Sequence, residues 1–149
     1  MLSEETAYIV TDLMRSVIRK GTGRNSHIIY GFDRPAGGKT GTTNDHTDAW
    51  FVGYSKQIIA GTWVGLDNPA FSLGNSQSGA VVALPIWSKF MAAFHDSLNF
   101  PVENFEMPPG VVEQTICDDT KELAGKYCPV KIQEIFNARY QPIEICTTH

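Results

Sequence analysis

The spacing of apolar positions marks a helix near the start of the chain. Val10, Leu13, Met14, Val17 and Ile18 recur at the intervals of one buried helical face. Ser3 stands where an N-cap belongs, and Glu4 and Glu5 follow in the first turn, where the helix dipole favours negative charge. Arg15, Arg19 and Lys20 crowd the last turns, and Gly21 is the predicted stop. Gly21-Thr22-Gly23-Arg24 then opens a loose stretch to Pro35. From Gly37 to Leu66 the pattern becomes that of strands: a short, polar Lys39–Thr43, then Asp48–Tyr54 and Ile58–Leu66. The last two are apolar at odd and even positions alike, which predicts an antiparallel hairpin covered by helices on both faces. Tyr54-Ser55-Lys56-Gln57 joins them. Asp67–Gly79 reads as a polar loop. Ala80–His95 reads as a second helix, apolar nearly all round and so expected to be buried, with Pro85 in its first turns or at a kink. After Asn99 the prolines Pro101, Pro108 and Pro109 and Gly110 mark a linker into an irregular tail. Residues 1–99 and 100–149 are therefore expected to differ in organisation.

Composition narrows the class. The 149 residues are 42% apolar and 19% charged, with a net charge of −4. That balance belongs to a core-forming chain, and the length suits one domain. No window approaches the ~18 apolar residues of a membrane span, and the amphipathic first helix is unlike a signal peptide. A modest acidic excess argues against a nucleic-acid partner.

The most chemical segment is Ala36-Gly37-Gly38-Lys39-Thr40-Gly41-Thr42-Thr43. Gly38-Lys39-Thr40 matches the end of a phosphate-binding P-loop, but that motif needs glycine at position 33, where the chain has Asp33. A carboxylate there repels phosphate, and strands follow where a P-loop opens a helix. The other reading is the Lys-Thr-Gly strand of serine acyl-transfer enzymes. There an ammonium supplies a positive field, threonine hydroxyls bind a carboxylate, and glycine permits close approach. A strand at the border of a cleft adds free backbone N–H groups for an oxyanion hole.

The surroundings extend this motif. Lys39-Thr40-Gly41-Thr42-Thr43-Asn44-Asp45 followed by Asp48-Ala49-Trp50-Phe51-Val52-Gly53-Tyr54 closely resembles the class A, bifunctional penicillin-binding proteins. So do Gly61-Thr62-Trp63-Val64-Gly65-Leu66-Asp67-Asn68, Ala83-Leu84-Pro85-Ile86-Trp87, and upstream Val17-Ile18-Arg19-Lys20-Gly21-Thr22-Gly23. The resemblance runs through about residues 3–96 in unbroken order, and the tail is similar to cysteine-bearing extensions in some members. It implies an α+β fold: part of the penicillin-binding protein / serine β-lactamase-like transpeptidase fold, an antiparallel sheet packed between helices. It implies a D,D-transpeptidase that acylates a serine with peptidoglycan stem peptides, cross-links them, and is acylated by β-lactam antibiotics. It also implies the extracytoplasmic face of the bacterial cytoplasmic membrane, with the anchor outside this chain. Carried over, Lys39 is the electrostatic anchor, and the Thr42 backbone N–H is half of the oxyanion hole. Thr40 and Thr42 contact the substrate carboxylate, Gly41 permits close approach, and Thr43 and Asn44 complete the substrate-binding set. No cofactor or catalytic metal is implied. Asn44, Asp48 and Trp50 also match the family, with Trp50 expected in the core.

The family's nucleophile lies in Ser-x-x-Lys, followed by Ser-x-Asn before Lys-Thr-Gly. None of the nine serines has lysine three residues on. The nearest is Ser16-Val17-Ile18-Arg19, and arginine cannot serve as a base near neutral pH. Ser97-Leu98-Asn99 has the second pattern but follows Lys39, and reads as a helix terminus. The chain thus resembles the C-terminal part of a transpeptidase domain, inactive alone, with Ser-x-x-Lys and Ser-x-Asn expected on a preceding part or a second chain. The alternative is a non-catalytic binding module with a related fold.

Other constellations are weaker. Gly74-Asn75-Ser76-Gln77-Ser78 fails as a nucleophile elbow because Ser78 replaces the final glycine. His27, His46 and His95 read as isolated surface or loop residues. Cys117, Cys128 and Cys146 are odd in number, and with His149 they form Cys-x10-Cys-x17-Cys-x2-His. One disulfide, free thiols and a structural zinc all stay open for this tail.

Overall fold

The computed structural model describes residues 2–68 and 70–149. Its contacts divide into two units: Thr11–Phe105, and the N-terminal residues up to Val10 together with Glu106–His149.

Helix α1 spans Glu4–Arg19. Its N-terminus is capped as the sequence predicts: the Thr6 backbone N–H donates to Ser3 Oγ at 3.3 Å. At the other end Gly21 N–H and Lys20 N–H share the Ser16 carbonyl. Gly21 is not in the left-handed region. Its glycine is required by space, since a Cβ would lie 2.9 Å from Val17 Cα.

In the larger unit, a short helix α2 (Asn25–Ile28) leads to three strands: β1 Gly37–Thr42, β2 Asp48–Tyr54 and β3 Ile59–Gly65. They form one antiparallel sheet in the order β1-β2-β3. Register places Lys39 opposite Val52, Gly41 opposite Trp50, and Trp50 opposite Trp63. A π-helical turn, Gly79–Ala83, runs into α3, Leu84–Ser97, with Pro85 in the first turn, where its missing N–H costs nothing. The fold is α+β.

The core lies between the sheet and α3. Ile18, Phe32, Phe51, Leu84, Trp87 and Met91 are its large members. Trp87 packs against Phe51 at 4.8 Å and edge-on to Phe32 at 5.2 Å, and its Nε1–H donates to the Ala60 carbonyl. His95 corrects the expectation of an isolated surface or loop residue, because it is wholly buried. Its Nδ1 donates to the Met91 carbonyl (2.7 Å), so in the neutral ring Nε2 accepts from Ser55 Oγ (2.9 Å). Ser55 Oγ in turn accepts from the N–H groups of Gln57 and Ile58, which ties the β2–β3 turn to α3.

Three expectations about burial need correction. On the predicted apolar face of α1 only Ile18 is buried, and Leu13 is 61% exposed. α3 is buried along one face only, with Ile86 and Phe90 about half exposed. The sheet is covered by α3 on one face, while on the other α1 reaches only the Gly37–Tyr54 corner, where Met14 sits. The rest of that face is open among the described residues, so Trp50 is 45% exposed and not a core residue. Apolar residues on both sides of a strand show that both sides can be covered, and only the packing shows which side is.

The smaller unit is more regular than the tail predicted from sequence. β4 (Val111–Cys117) pairs with β5 (Lys131–Asn137) as an antiparallel two-stranded sheet. Leu123 bridges both Ile116 and Ile145, drawing the last residues onto the same sheet end.

Candidate functional site

β1 is an edge strand, so one side of its backbone has no strand partner among the described residues. Parity decides which groups point outward. The Thr43 N–H donates to the Asp48 carbonyl, so Thr43, Gly41 and Lys39 direct their backbone groups into the sheet. Thr42 and Thr40 therefore aim their N–H and C=O groups at the free edge. Their side chains lie on the α3 face with Phe51, whereas Lys39 shares the open face with Val52 and Trp50.

The side chains around this edge are held by short bonds. Lys39 is exposed, and its Nζ donates to the Thr40 carbonyl at 3.0 Å, with Thr40 Oγ1 at 3.5 Å. Thr22 Oγ1 lies 3.3 Å from Thr40 Oγ1, so the Gly21-Thr22-Gly23 turn abuts the Lys-Thr-Gly strand. Thr42 Oγ1 accepts from the Gly79 N–H at 3.1 Å, tethering the π-helical turn to β1. A Cβ at Gly41 would come within 3.3 Å of Trp50 Cβ, so cross-strand packing alone disfavours a side chain there.

The β1–β2 turn is built on Thr43. Its hydroxyl accepts from the N–H groups of Thr47 and Asp48, both at 3.0 Å, and lies 2.9 Å from the Thr47 hydroxyl. Asn44 is exposed in this turn, and His46 takes a positive φ of 52°. Asp48 fixes the next layer, accepting from Thr47 Oγ1 and from Trp63 Nε1–H, each at 2.9 Å. Lys39, Thr40, Gly41 and Thr42 thus share one edge, while Thr43 and Asn44 belong to the turn beside it. Thr22 was not assigned a role from sequence. The Gly-Thr-Gly pattern was its signal, but only the tertiary contact with Thr40 brings it to the strand.

A second cluster lies in the smaller unit. Cys117, Cys128 and Cys146 are all buried, and none is in a disulfide. A hydrogen bond from the Thr120 hydroxyl pulls the Cys146 thiol down to about 7, whereas burial pushes Cys128 up to about 11.

Residues 107–149 match a family model described as the C-terminal domain of penicillin-binding protein 1A. Penicillin-binding protein 1A of Pseudomonas aeruginosa is 38% identical over 143 residues, 95% of this chain. By sequence and by fold, the chain is similar to the C-terminal part of penicillin-binding protein 1A. The fold likeness is to the crystal structure of penicillin-binding protein 1A from Haemophilus influenzae, with a TM-score of 0.86 at 27% identity over 98% of this chain. Penicillin-binding protein 1A of Aquifex aeolicus is 40% identical over 128 residues, 86% of this chain. The chain spans 17% of the length of each of these two sequence relatives and 22% of the Haemophilus chain. No helix among the described residues is long and apolar enough to cross a membrane.

Proposed function

We propose that this chain supplies one wall of the active site of a peptidoglycan D,D-transpeptidase of the class A penicillin-binding protein kind. The observation that carries the reading is the free edge of β1, where Lys39, Thr40, Gly41 and Thr42 stand together with the Thr42 N–H aimed outward. In this reading the nucleophilic serine and its lysine base come from a preceding part of the protein or a second chain, at the extracytoplasmic face of the membrane. That serine attacks the penultimate D-alanine carbonyl of a stem peptide, and the terminal D-alanine leaves. An amine of a neighbouring stem then takes the acyl group. A β-lactam enters the same site and stays attached.

The residues of this chain serve that reaction by position and charge. A stem peptide or antibiotic laid along the edge meets the Thr42 N–H, half of the hole for the oxygen that gains charge in the transition state. The Lys39 ammonium sets a positive field at the same edge and partners the serine of Ser-x-Asn. Thr40 and Thr42 offer hydroxyls to the substrate carboxylate, with Thr43 and Asn44 in the adjoining turn.

The test is acylation of the full-length protein by a fluorescent penicillin. A cation about 4 Å from a carboxylate contributes on the order of 1 kcal/mol in water and about 4 at an effective dielectric of 20. Lys39→Ala is therefore expected to slow acylation between about 5-fold and 1,000-fold. Acylation unchanged in Lys39→Ala would remove Lys39 from the site. No acylation of the wild-type protein would favour a non-catalytic binding module.

A further inference from the structure

We propose that the smaller unit is a structural zinc module in which Cys117, Cys128, Cys146 and His149 bind one Zn²⁺ ion. The inference goes beyond the proposed acyl transfer and does not depend on it.

The geometry is the first argument. One Sγ from each of the three cysteines lies within 4.8 Å of the other two. Three thiolates on a tetrahedral zinc, each at about 2.3 Å from the metal, stand about 3.8 Å apart. The trio needs to contract by about 1 Å at most. A ring nitrogen of His149 and a carboxylate oxygen of Asp119 form a second group with Cys117 Sγ, again within 4.8 Å of one another. His149 is only three positions beyond Cys146 and already within 4.8 Å of Cys117 Sγ, which places it to supply the fourth ligand. Asp119 Oδ2 lies 3.2 Å from His149 Nε2. That pair can orient the imidazole and leave its other nitrogen for the metal, the usual support for a ligating histidine.

The backbone brings the three cysteines together from separate places. Cys117 ends β4, with its N–H on the Glu122 carbonyl, and Cys146 N–H donates to the Leu123 carbonyl at 2.9 Å. Cys128 follows a turn that begins at Gly125. A Cβ at Gly125 would lie 2.8 Å from the Cys146 carbonyl oxygen and 3.8 Å from Cys128 Sγ, so this turn presses directly on the sulfur cluster.

Need is the second argument. Among the described residues, the buried apolar residues of this unit are Val111, Ile116 and the three cysteines. The cysteines form their own cluster, with Ala124 as its partly buried apolar neighbour. A unit with so few buried side chains does not offset its chain entropy by burial alone, and such units are commonly held by disulfides or a metal. One disulfide would use two sulfurs and leave the third buried beside it, whereas one zinc uses all three. A set of three thiolates and one imidazole selects zinc among the common divalent ions, and four protein ligands make the site structural.

The experiment is metal analysis of the intact, full-length protein purified without chelator, with Co²⁺ exchange as a second measurement. The expected result is about one zinc per chain by mass spectrometry of the metal. Cobalt exchange should give thiolate-to-cobalt absorption and visible bands of tetrahedral intensity. Cys128→Ser should lower retained zinc at least tenfold against a competing chelator, and His149→Ala should lower retention while leaving the cobalt–thiolate absorption in place. Penicillin acylation, read on the same samples, reports separately on the transpeptidase reading. Wild-type protein with no stoichiometric zinc and no cobalt–thiolate absorption overturns the proposal. So does an intact mass lower by two hydrogens that is restored by a reductant, because it shows a disulfide. Both results come from the wild type, so a variant that fails to fold does not decide the matter.

Discussion

Thr42 has two tasks that substitution can separate. Its backbone N–H faces the free edge of β1, and its hydroxyl oxygen accepts the Gly79 N–H at 3.1 Å. Gly79 is buried and begins the π-helical turn ahead of α3. Thr42→Val keeps the shape and the backbone N–H but removes the acceptor, leaving the Gly79 N–H without that bond. A buried donor stripped of its acceptor costs about 1–3 kcal/mol. For a domain of about 150–250 residues each kcal/mol lowers Tm by about 2–4 °C, so the expected fall is about 2–12 °C. Thr42→Ser retains the oxygen and should stay close to wild type in Tm. The assay pairs thermal unfolding of the full-length protein with its rate of acylation by a fluorescent penicillin. If the hydroxyl also binds the substrate carboxylate, Thr42→Val slows acylation while Thr42→Ser does so far less. A Thr42→Val protein as stable as wild type would refute the tether, whatever its acylation rate.

Two further predictions concern the scaffold behind the strand. Ser55→Ala removes the hydroxyl that donates to His95 Nε2 and accepts two N–H groups in the β2–β3 turn, so denaturant unfolding should show a loss of about 1–3 kcal/mol. An unchanged midpoint would mean that this buried bond does not hold the turn to α3. At Gly53 a Cβ would lie 2.6 Å from Trp87 Cζ2 and 2.9 Å from Phe51 Cε1, so Gly53→Ala should destabilise by about 1–3 kcal/mol through overpacking. Combining it with Trp87→Phe should cost less than the sum of the two single changes, because the smaller ring makes room. Strict additivity in that cycle would count against the contact.

The candidate edge was legible because its signals are local. Lys39-Thr40-Gly41 between glycines and a second strand is a sequence pattern, and the hairpin register follows from short connections. His95 was misread because a lone histidine in an apolar helix carries no mark of its partner, and Ser55 lies forty positions earlier. The β4–β5 pair was missed for a related reason. Val111–Cys117 is short and partly alternating, and its partner comes only after a turn-rich stretch through Cys128 and Pro129.

By itself the sequence determined what depends on near neighbours. It set the capped first helix, the proline-opened last helix, the doubly apolar hairpin and the glycine-flanked lysine. These follow from spacing, capping chemistry and backbone limits acting over a few residues. Tertiary structure decided what depends on which surfaces meet. It left Trp50 on the open face of the sheet, buried His95 against Ser55, and brought Thr22 to Thr40. It gave the Thr42 hydroxyl a partner in Gly79 and gathered three distant cysteines within 4.8 Å of one another. Burial and side-chain pairing are properties of two elements in contact, and no stretch of one element records the other.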